Sequence, residues 1–432
     1  VITSHDRVSG LHHHFIALSV SGSQLAGARY DPSLRMRRNL IAVALLCCET
    51  TASHAQSSVT LYGLVDAGVS YISNERAGKP GAYVGHSNVS MQSGNLSGSR
   101  WGIKGAEALG GGFKAIFVLE EGFNDVNGAT SKSNTLFSRL AFVGVSSNRF
   151  GSLTMGRQYS SMTDFIHPVS PSQFVGGIGA SPGNIDDLDT TARVDNSIKY
   201  VSDSYGGFQF GALYGFGDQA GSLKRKSTWS IGAGYANGPL KIGAGYERSD
   251  NSKTGPSDPT SNTWDSSDDG TVGSSISEGF ATAQTQQVFA AGATYNFGHT
   301  LIGVDYSNVR FEPGVDSLFS HEAIYNTIGV FGNWTHDARF HIFAGYTYTR
   351  SGEIDDTGDR AQYHDVTLGL SYDLSRRTTV YALTGYQKAI GKTLNSLGDV
   401  ADATASVGDK GIGHSAATGS QGNVRIGIRH RF

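Results

Sequence analysis

Between residues 228 and 248 apolar positions recur with a period of two. Trp229, Ile231, Ala233 and Tyr235 alternate with Ser230, Gly232 and Gly234. After Asn237-Gly238-Pro239 the pattern resumes, with Leu240, Ile242, Ala244 and Tyr246 against Lys241, Gly243, Gly245 and Glu247. A period of two describes extended strands, and the Asn-Gly step between them makes a hairpin. The same reading predicts sixteen strands, near 59–72, 98–108, 112–124, 135–147, 149–160, 194–203, 206–216, 227–237, 239–249, 286–297, 300–311, 323–334, 338–350, 361–373, 377–388 and 422–432. Connection lengths separate a barrel from a sandwich. Every second connection is tight (Leu109-Gly110-Gly111, Asn148, Ser204-Tyr205, Gly238, Gly298-His299, 335–337, 374–376), while four of the others are long (73–97, 161–193, 250–285, 389–421).

Strict alternation of short and long places all tight turns at one end, as in an even-stranded barrel of the outer-membrane type, and Greek-key crossings would not sort connections this way. In hydrocarbon every backbone N–H and C=O needs a partner, so a sheet there must close on itself. Its apolar face then meets lipid and its polar face lines water. Composition agrees. Charged residues make up 16% of the 432 positions, below the roughly 25% of soluble domains. There are 58 glycines and only nine prolines, and beyond the N-terminal region no stretch approaches the ~20 apolar residues of a membrane-crossing helix.

The N-terminal region reads as an address. From Met36 the sequence runs MRRNLIAVALLCCETTASHA, with two arginines, an apolar run from Leu40 to Cys48 and a small-x-small site at Ser53-His54-Ala55. This is the pattern of a secretory signal peptide over 36–55, cleaved before Gln56. Residues 1–35, with His12, His13 and His14, are expected to precede the natural start, and 56–432 to form the barrel. Cys47 and Cys48 both lie in the leader, so the mature chain can form no disulfide. The net charge of −3 offers no basic surplus for a nucleic-acid partner.

Five stretches resemble the sixteen-stranded general porins of Gram-negative outer membranes, in particular the Burkholderia-like and Comamonas-like subfamily. They are SSVTLYGLVDAGV (57–69), SRWGIKGAEALGGGFKAIFVLE (99–120), RLAFVGVSSNRFGSLTMGRQY (139–159), RVDNSIKYVSDSYGGFQFGALYGFG (193–217) and the ending VRIGIRHRF. The resemblance implies an all-β fold, a 16-stranded antiparallel transmembrane β-barrel whose third long loop, about 161–193, folds inward. It also implies a homotrimer in contact with outer-membrane lipid and lipopolysaccharide. Small hydrophilic solutes and ions would pass by diffusion, with a weak preference for anions and no cofactor. Val424, Ile426 and Ile428 alternate with Arg425, Gly427 and Arg429 up to Phe432, which resembles a C-terminal assembly signal.

The constriction is expected to combine wall cations with loop carboxylates. Arg100 precedes outward Trp101 and Arg139 precedes Leu140, taken as outward, so both guanidiniums should turn inward; Arg193 stands where the loop rejoins the wall. These three coincide with the constriction arginines of anion-preferring family members. Lys104 and Lys114 have inward parity, Arg157 is ambiguous, and the loop supplies Asp164, Asp186, Asp187 and Asp189. Facing arrays of opposite sign would set up a transverse field and enrich anions locally. A substrate-selective channel would instead need a specific solute site, and an outer-membrane enzyme a Ser/His pair or rim carboxylates, of which the sequence gives no convincing set. The acidic run Asp265-Ser266-Ser267-Asp268-Asp269-Gly270 has Ile276 where a calcium loop needs its glutamate, and reads as a solvated outer loop.

Overall fold

The computed structural model describes residues 57–79, 82–251, 272–409, 411 and 414–432; the expected leader and upstream segment lie outside them. The strands are β1 (Ser58–Ala77), β2 (Val84–Ser93), β3 (Arg100–Gly110), β4 (Phe113–Gly122), β5 (Leu140–Ser147), β6 (Gly151–Gln158), β7 (Val194–Val201), β8 (Phe208–Gly215) and β9 (Thr228–Asn237). They continue as β10 (Leu240–Asp250), β11 (Thr285–Asn296), β12 (Thr300–Glu312), β13 (Ala323–Thr335), β14 (Phe340–Ser351), β15 (Ala361–Asp373), β16 (Thr378–Leu394), β17 (Val400–Asp402) and β18 (Ser420–Arg431). All pairings are antiparallel, and β18 pairs with both β16 and β1, closing the ring.

Eighteen strands fill sixteen positions. The first part of β1 pairs with β3, from Ser58↔Ala106 to Leu64↔Arg100, and the rest with β2, from Ala67↔Ser93 to Ala77↔Val84. The two short strands therefore share one place in the wall, and β17 pairs only with the overhanging end of β16. The stretch 73–97, expected as a loop, thus contains a strand. Its alternation is thin, with Val84, Val89 and Met91 the exposed large apolar residues among serines, His86, Asn88 and Gln92. The break between β2 and β3 is held by Asp66, whose Oδ2 accepts from the N–H groups of Leu96 (3.0 Å) and Ser97 (2.7 Å). β5 begins at Leu140, five residues later than expected.

Exposure along the strands is inverted relative to a soluble sheet. Leu61, Ile302, Ile328 and Ile426 are more than half exposed, while Asp66, Ser70, Ser307, Gln387 and Asn423 on the opposite face are buried. Toward the long-loop end of β11 to β15 the polarity reverses. On β12 Ile302, Val304 and Tyr306 point out, but further along Val309 and Phe311 are the buried residues and Arg310 is exposed. Tyr325 and Tyr363 are likewise buried, next to partly exposed Gln362 and exposed Asn326. An apolar outward band ends there, and beyond it the strands are built as in a water-soluble protein.

The reversed ends enclose a dry cluster. Met162, Ile166, Ile185 and Leu188 of segment 161–193 and Val272, Ile276 and Phe280 of segment 272–284 pack with Val309, Phe311, Tyr325 and Tyr363. The inner face was expected to be wet throughout, and this part of it is not. Segment 161–193 carries α1 (Ser161–Ile166), capped by Ser160, whose Oγ accepts from Thr163 N at 3.1 Å, and α2 (Ser172–Val175). α1 lies on β9 and β10 over Gly232, Gly243 and Gly245, where a Cβ would collide with the backbone of Ser161, Phe165 and Met162. These glycines let the segment approach the wall closely.

Ring closure ends at Phe432, whose N–H donates to Gly63 O (3.0 Å) and whose carbonyl accepts from Gly63 N (3.2 Å). The ring covers Gly63 so closely that a Cβ there would overlap it. Deleting Phe432 should destabilise the barrel by about 1–3 kcal/mol, two hydrogen bonds and a ring contact. The temperature at which the folded electrophoretic band disappears should fall accordingly. An unchanged temperature would show that the terminal contact contributes nothing.

Candidate functional site

Two strand ends and a loop junction converge on one phenol. Arg139 donates to Tyr159 Oη from Nη2 at 2.7 Å, and Arg193 donates to the same oxygen at 3.0 Å while its guanidinium lies 4.9 Å from the Tyr159 ring centre. Glu120 stands beside them. Its Oε1 accepts from Arg139 Nε at 2.7 Å, its Oε2 accepts from Tyr62 Oη at 2.9 Å, and Arg100 Nε lies 3.8 Å from Oε2. A single phenolic oxygen and a single carboxylate thus hold three guanidiniums together. Charge-assisted hydrogen bonds of this kind fix orientation as well as energy.

The three arginines line a cavity of about 610 Å3, together with Arg429 and Arg431 of β18, His167, Asp189 and Asp409. Arg429 donates to Ser97 Oγ at 2.9 Å. His167 donates from Nδ1 to Leu188 O at 3.0 Å, and burial lowers its pKa, favouring the neutral ring. Guanidiniums outnumber carboxylates on this lining. The arrangement can attract and orient anions.

Arg139 reaches the cavity by a route other than the expected one. Leu140 pairs with Glu120, which pairs with Gly102, so Leu140 belongs to the inner face. Arg139 sits in the bend before β5, out of the strand's register, and from there its side chain swings to Glu120. Arg100 follows the simple alternation, opposite Gly122 and Leu64. Arg157 keeps the register of Ala141, does not line the cavity, and binds Ser138 O and Asp195 Oδ1, each at 2.7 Å.

Most of the loop carboxylates do not face the arginines. Asp164 pairs with Lys199 Nζ at 2.6 Å. Asp186 is buried and accepts from Ser181 Oγ at 2.7 Å; Asp187 is buried and accepts from Ala192 N at 2.9 Å and Thr191 Oγ1 at 2.7 Å. Only Asp189 of the four lines the cavity. Lys104 lies 5.1 Å from the Tyr62 ring centre, one residue removed from the cluster, and Lys114 lies in a cleft with Phe113 and Asn148 at the tight-turn end. Glu120, Tyr159, Arg429 and Arg431 had not been singled out. Three of them were legible: Glu120 has the parity of Lys114, and Arg429 and Arg431 alternate with outward Ile428.

A model of the Gram-negative porin family matches residues 41–391. An outer membrane porin protein of Bordetella pertussis is 30% identical over 430 residues, covering 92% of this chain and 100% of its own length. Outer membrane porin protein 32 of Delftia acidovorans is 30% identical over 410 residues with the same coverage. The chain belongs to the Gram-negative porin family. The porin is therefore an outer-membrane channel for passive diffusion and not an enzyme. Its fold is shared with the solved anion-selective porin from Comamonas acidovorans, with a TM-score of 0.65 at 23% identity over 87% of this chain and 100% of that one.

In this porin the carboxyls of segment 161–193 are shaped by burial. Burial pushes Asp187 up to about 6 and raises Asp186 and Asp189, the last also through neighbouring Asp409. A carboxyl raised above its unfolded value of about 3.9 favours the folded state fully below that value and loses the contribution as pH rises through the folded pKa. The folded porin should therefore resist heat better near pH 5 than near pH 7.5 on account of Asp187. Asp187→Asn should remove about 1 kcal/mol of that difference. Melting curves of the two proteins at both pH values check this, and an Asp187→Asn porin with the full wild-type pH dependence would contradict it.

Proposed function

We propose that the porin sieves small hydrophilic solutes and ions with a weak preference for anions. The observation that carries this reading is the arginine excess on the cavity beside segment 161–193, where Arg100, Arg139 and Arg193 are clustered on Tyr159 and Glu120. Low-dielectric walls focus the field of such a cluster into the water between them and raise the local anion concentration. Glu120 moderates it, since one carboxylate lies among three guanidiniums. The anion-selective porin from Comamonas acidovorans, which shares the fold, supports the same direction. In this reading Lys104 adds to the positive wall, and Asp189 is the loop carboxylate that completes the transverse field.

The rest of the reading concerns the barrel's surroundings. Residues 36–55 act as the export signal, residues 1–35 precede the natural start, and Phe432 ends the strand that assembly factors recognise. A neighbour of the same fold from Vibrio cholerae, with a TM-score of 0.57 at 21% identity, is a trimer form, which supports a homotrimer here. Lipid and lipopolysaccharide meet the apolar outer band, of which Leu61, Val143 and Ile328 are parts.

Replacing Arg100, Arg139 and Arg193 together by alanine should lower the anion/cation permeability ratio by about twofold or more, and Glu120→Gln should raise it. Reversal potentials across a planar bilayer in a salt gradient measure both. An unchanged potential in the triple variant would falsify the arginine wall as the source of selectivity. Liposome swelling with neutral sugars of graded size tests sieving: a single size cutoff is expected, and saturable uptake of one sugar would favour a substrate-selective channel.

A further inference from the structure

Segment 161–193 meets the wall at β12 and β14 around a second, much smaller cavity. Its polar lining is Ser170, Ser172, Ser181, Asp186, Asp305 and Thr347, and no Lys, Arg or His contributes to it. There is room for about one water-sized particle. Asp305 projects from β12 and is only 7% exposed, and its Oδ1 is enclosed without a hydrogen-bond partner among the described residues. Asp186 comes from the segment and is 1% exposed. Its Oδ1 accepts from Ser181 Oγ at 2.7 Å, and its Oδ2 accepts from Ser307 Oγ at 2.5 Å, two positions along β12 from Asp305.

Two carboxylates sharing a small dry space, one of them with an orphaned oxygen, are costly in their ionised form unless a positive charge joins them. We propose that Asp305 and Asp186 bind one desolvated divalent cation of the calcium class, which clamps segment 161–193 to the barrel wall. Two formal negative charges match a dication. Every available donor is a hard oxygen, which disfavours zinc and other ions that select nitrogen and sulfur. Magnesium dehydrates reluctantly and would keep waters that this cavity has no room for, whereas calcium accepts irregular shells of carboxylate, hydroxyl and carbonyl oxygens. No third carboxylate, histidine or cysteine joins the pair among the described residues. The hydroxyls of Ser170, Ser172 and Thr347 are the neutral donors at hand. The site shares Ser172 with the arginine-lined cavity but none of its arginines, and its proposed role is to hold the segment against the wall.

The test is calorimetric titration of the folded, chelator-stripped porin with calcium chloride, with folding of every variant checked by heat modifiability. One saturable site per chain is expected. Asp305→Asn, which keeps the shape of the side chain, should weaken it by at least about tenfold. Ser181→Ala, which removes the hydroxyl that orients Asp186, should weaken it severalfold and serves if the first variant does not fold. Asp268→Asn combined with Asp269→Asn, in the acidic run 265–270 that lies outside the described residues, should leave it intact. Absence of saturable calcium binding in the wild type, wild-type affinity in a folded Asp305→Asn porin, or loss of binding only in the Asp268/Asp269 variant would each overturn the proposal.

Discussion

A backbone amide in hydrocarbon has no water to turn to, and that constraint organises this chain from its first strand to its last residue. Each strand of the wall must find two neighbours. The final pairing, β18 against β1, is the one that removes both free edges, and it runs from Ile72↔Asn423 to Leu64↔Arg431 before Phe432 completes it on Gly63. Only after closure does the alternation of side chains acquire its meaning, with Ile426 and Ile428 on one side and Asn423 and Arg425 on the other.

Closure creates an interior, and the chain fills it unevenly. Along β9 to β16 the interior is occupied by segment 161–193 on its bed of glycines and by the cluster around Phe280, Phe311 and Tyr325. The remaining side carries the guanidiniums. Arg100 projects from β3, Arg139 from the bend before β5, Arg193 from the residue before β7, and Arg429 and Arg431 from β18. The arginine cluster is thereby gathered on one flank of the barrel, where low-dielectric packing opposite strengthens the field that it imposes.

Much of this was legible in the sequence because the physics of lipid and of hydrogen bonding writes itself as a period of two. All sixteen wall positions could be read from apolar alternation and from the sorting of tight turns to one end. β2 escaped because most of its residues are small or polar, and Val84, Val89 and Met91 do not fall into one unbroken alternation. The direction of Arg139 was inferred from a neighbour on the wrong face: Leu140 pairs with inward Glu120, and a bend before the strand restores the arginine to the cavity. Asp186 and Asp187 show a different limit. A carboxylate facing water and one folded onto backbone N–H groups look alike in a sequence, and these two are buried acceptors that shape the segment. The dry cluster was hidden for a related reason, since Val309 and Phe311 have the inward parity that was assigned to water.

The central claim is that one strand face meets lipid while the next residue meets the aqueous interior. The mature chain lacks cysteine if residues 36–55 are removed, so single cysteines can be placed at Ile103, Lys104, Phe117, Val118 and Leu119 of the paired strands β3 and β4. Labelling of the porin in liposomes with a small charged, water-soluble thiol reagent reads the environment of each. Positions 104 and 118 should react and 103, 117 and 119 should stay protected. Equal reactivity at neighbouring positions, or the opposite alternation, would contradict the account.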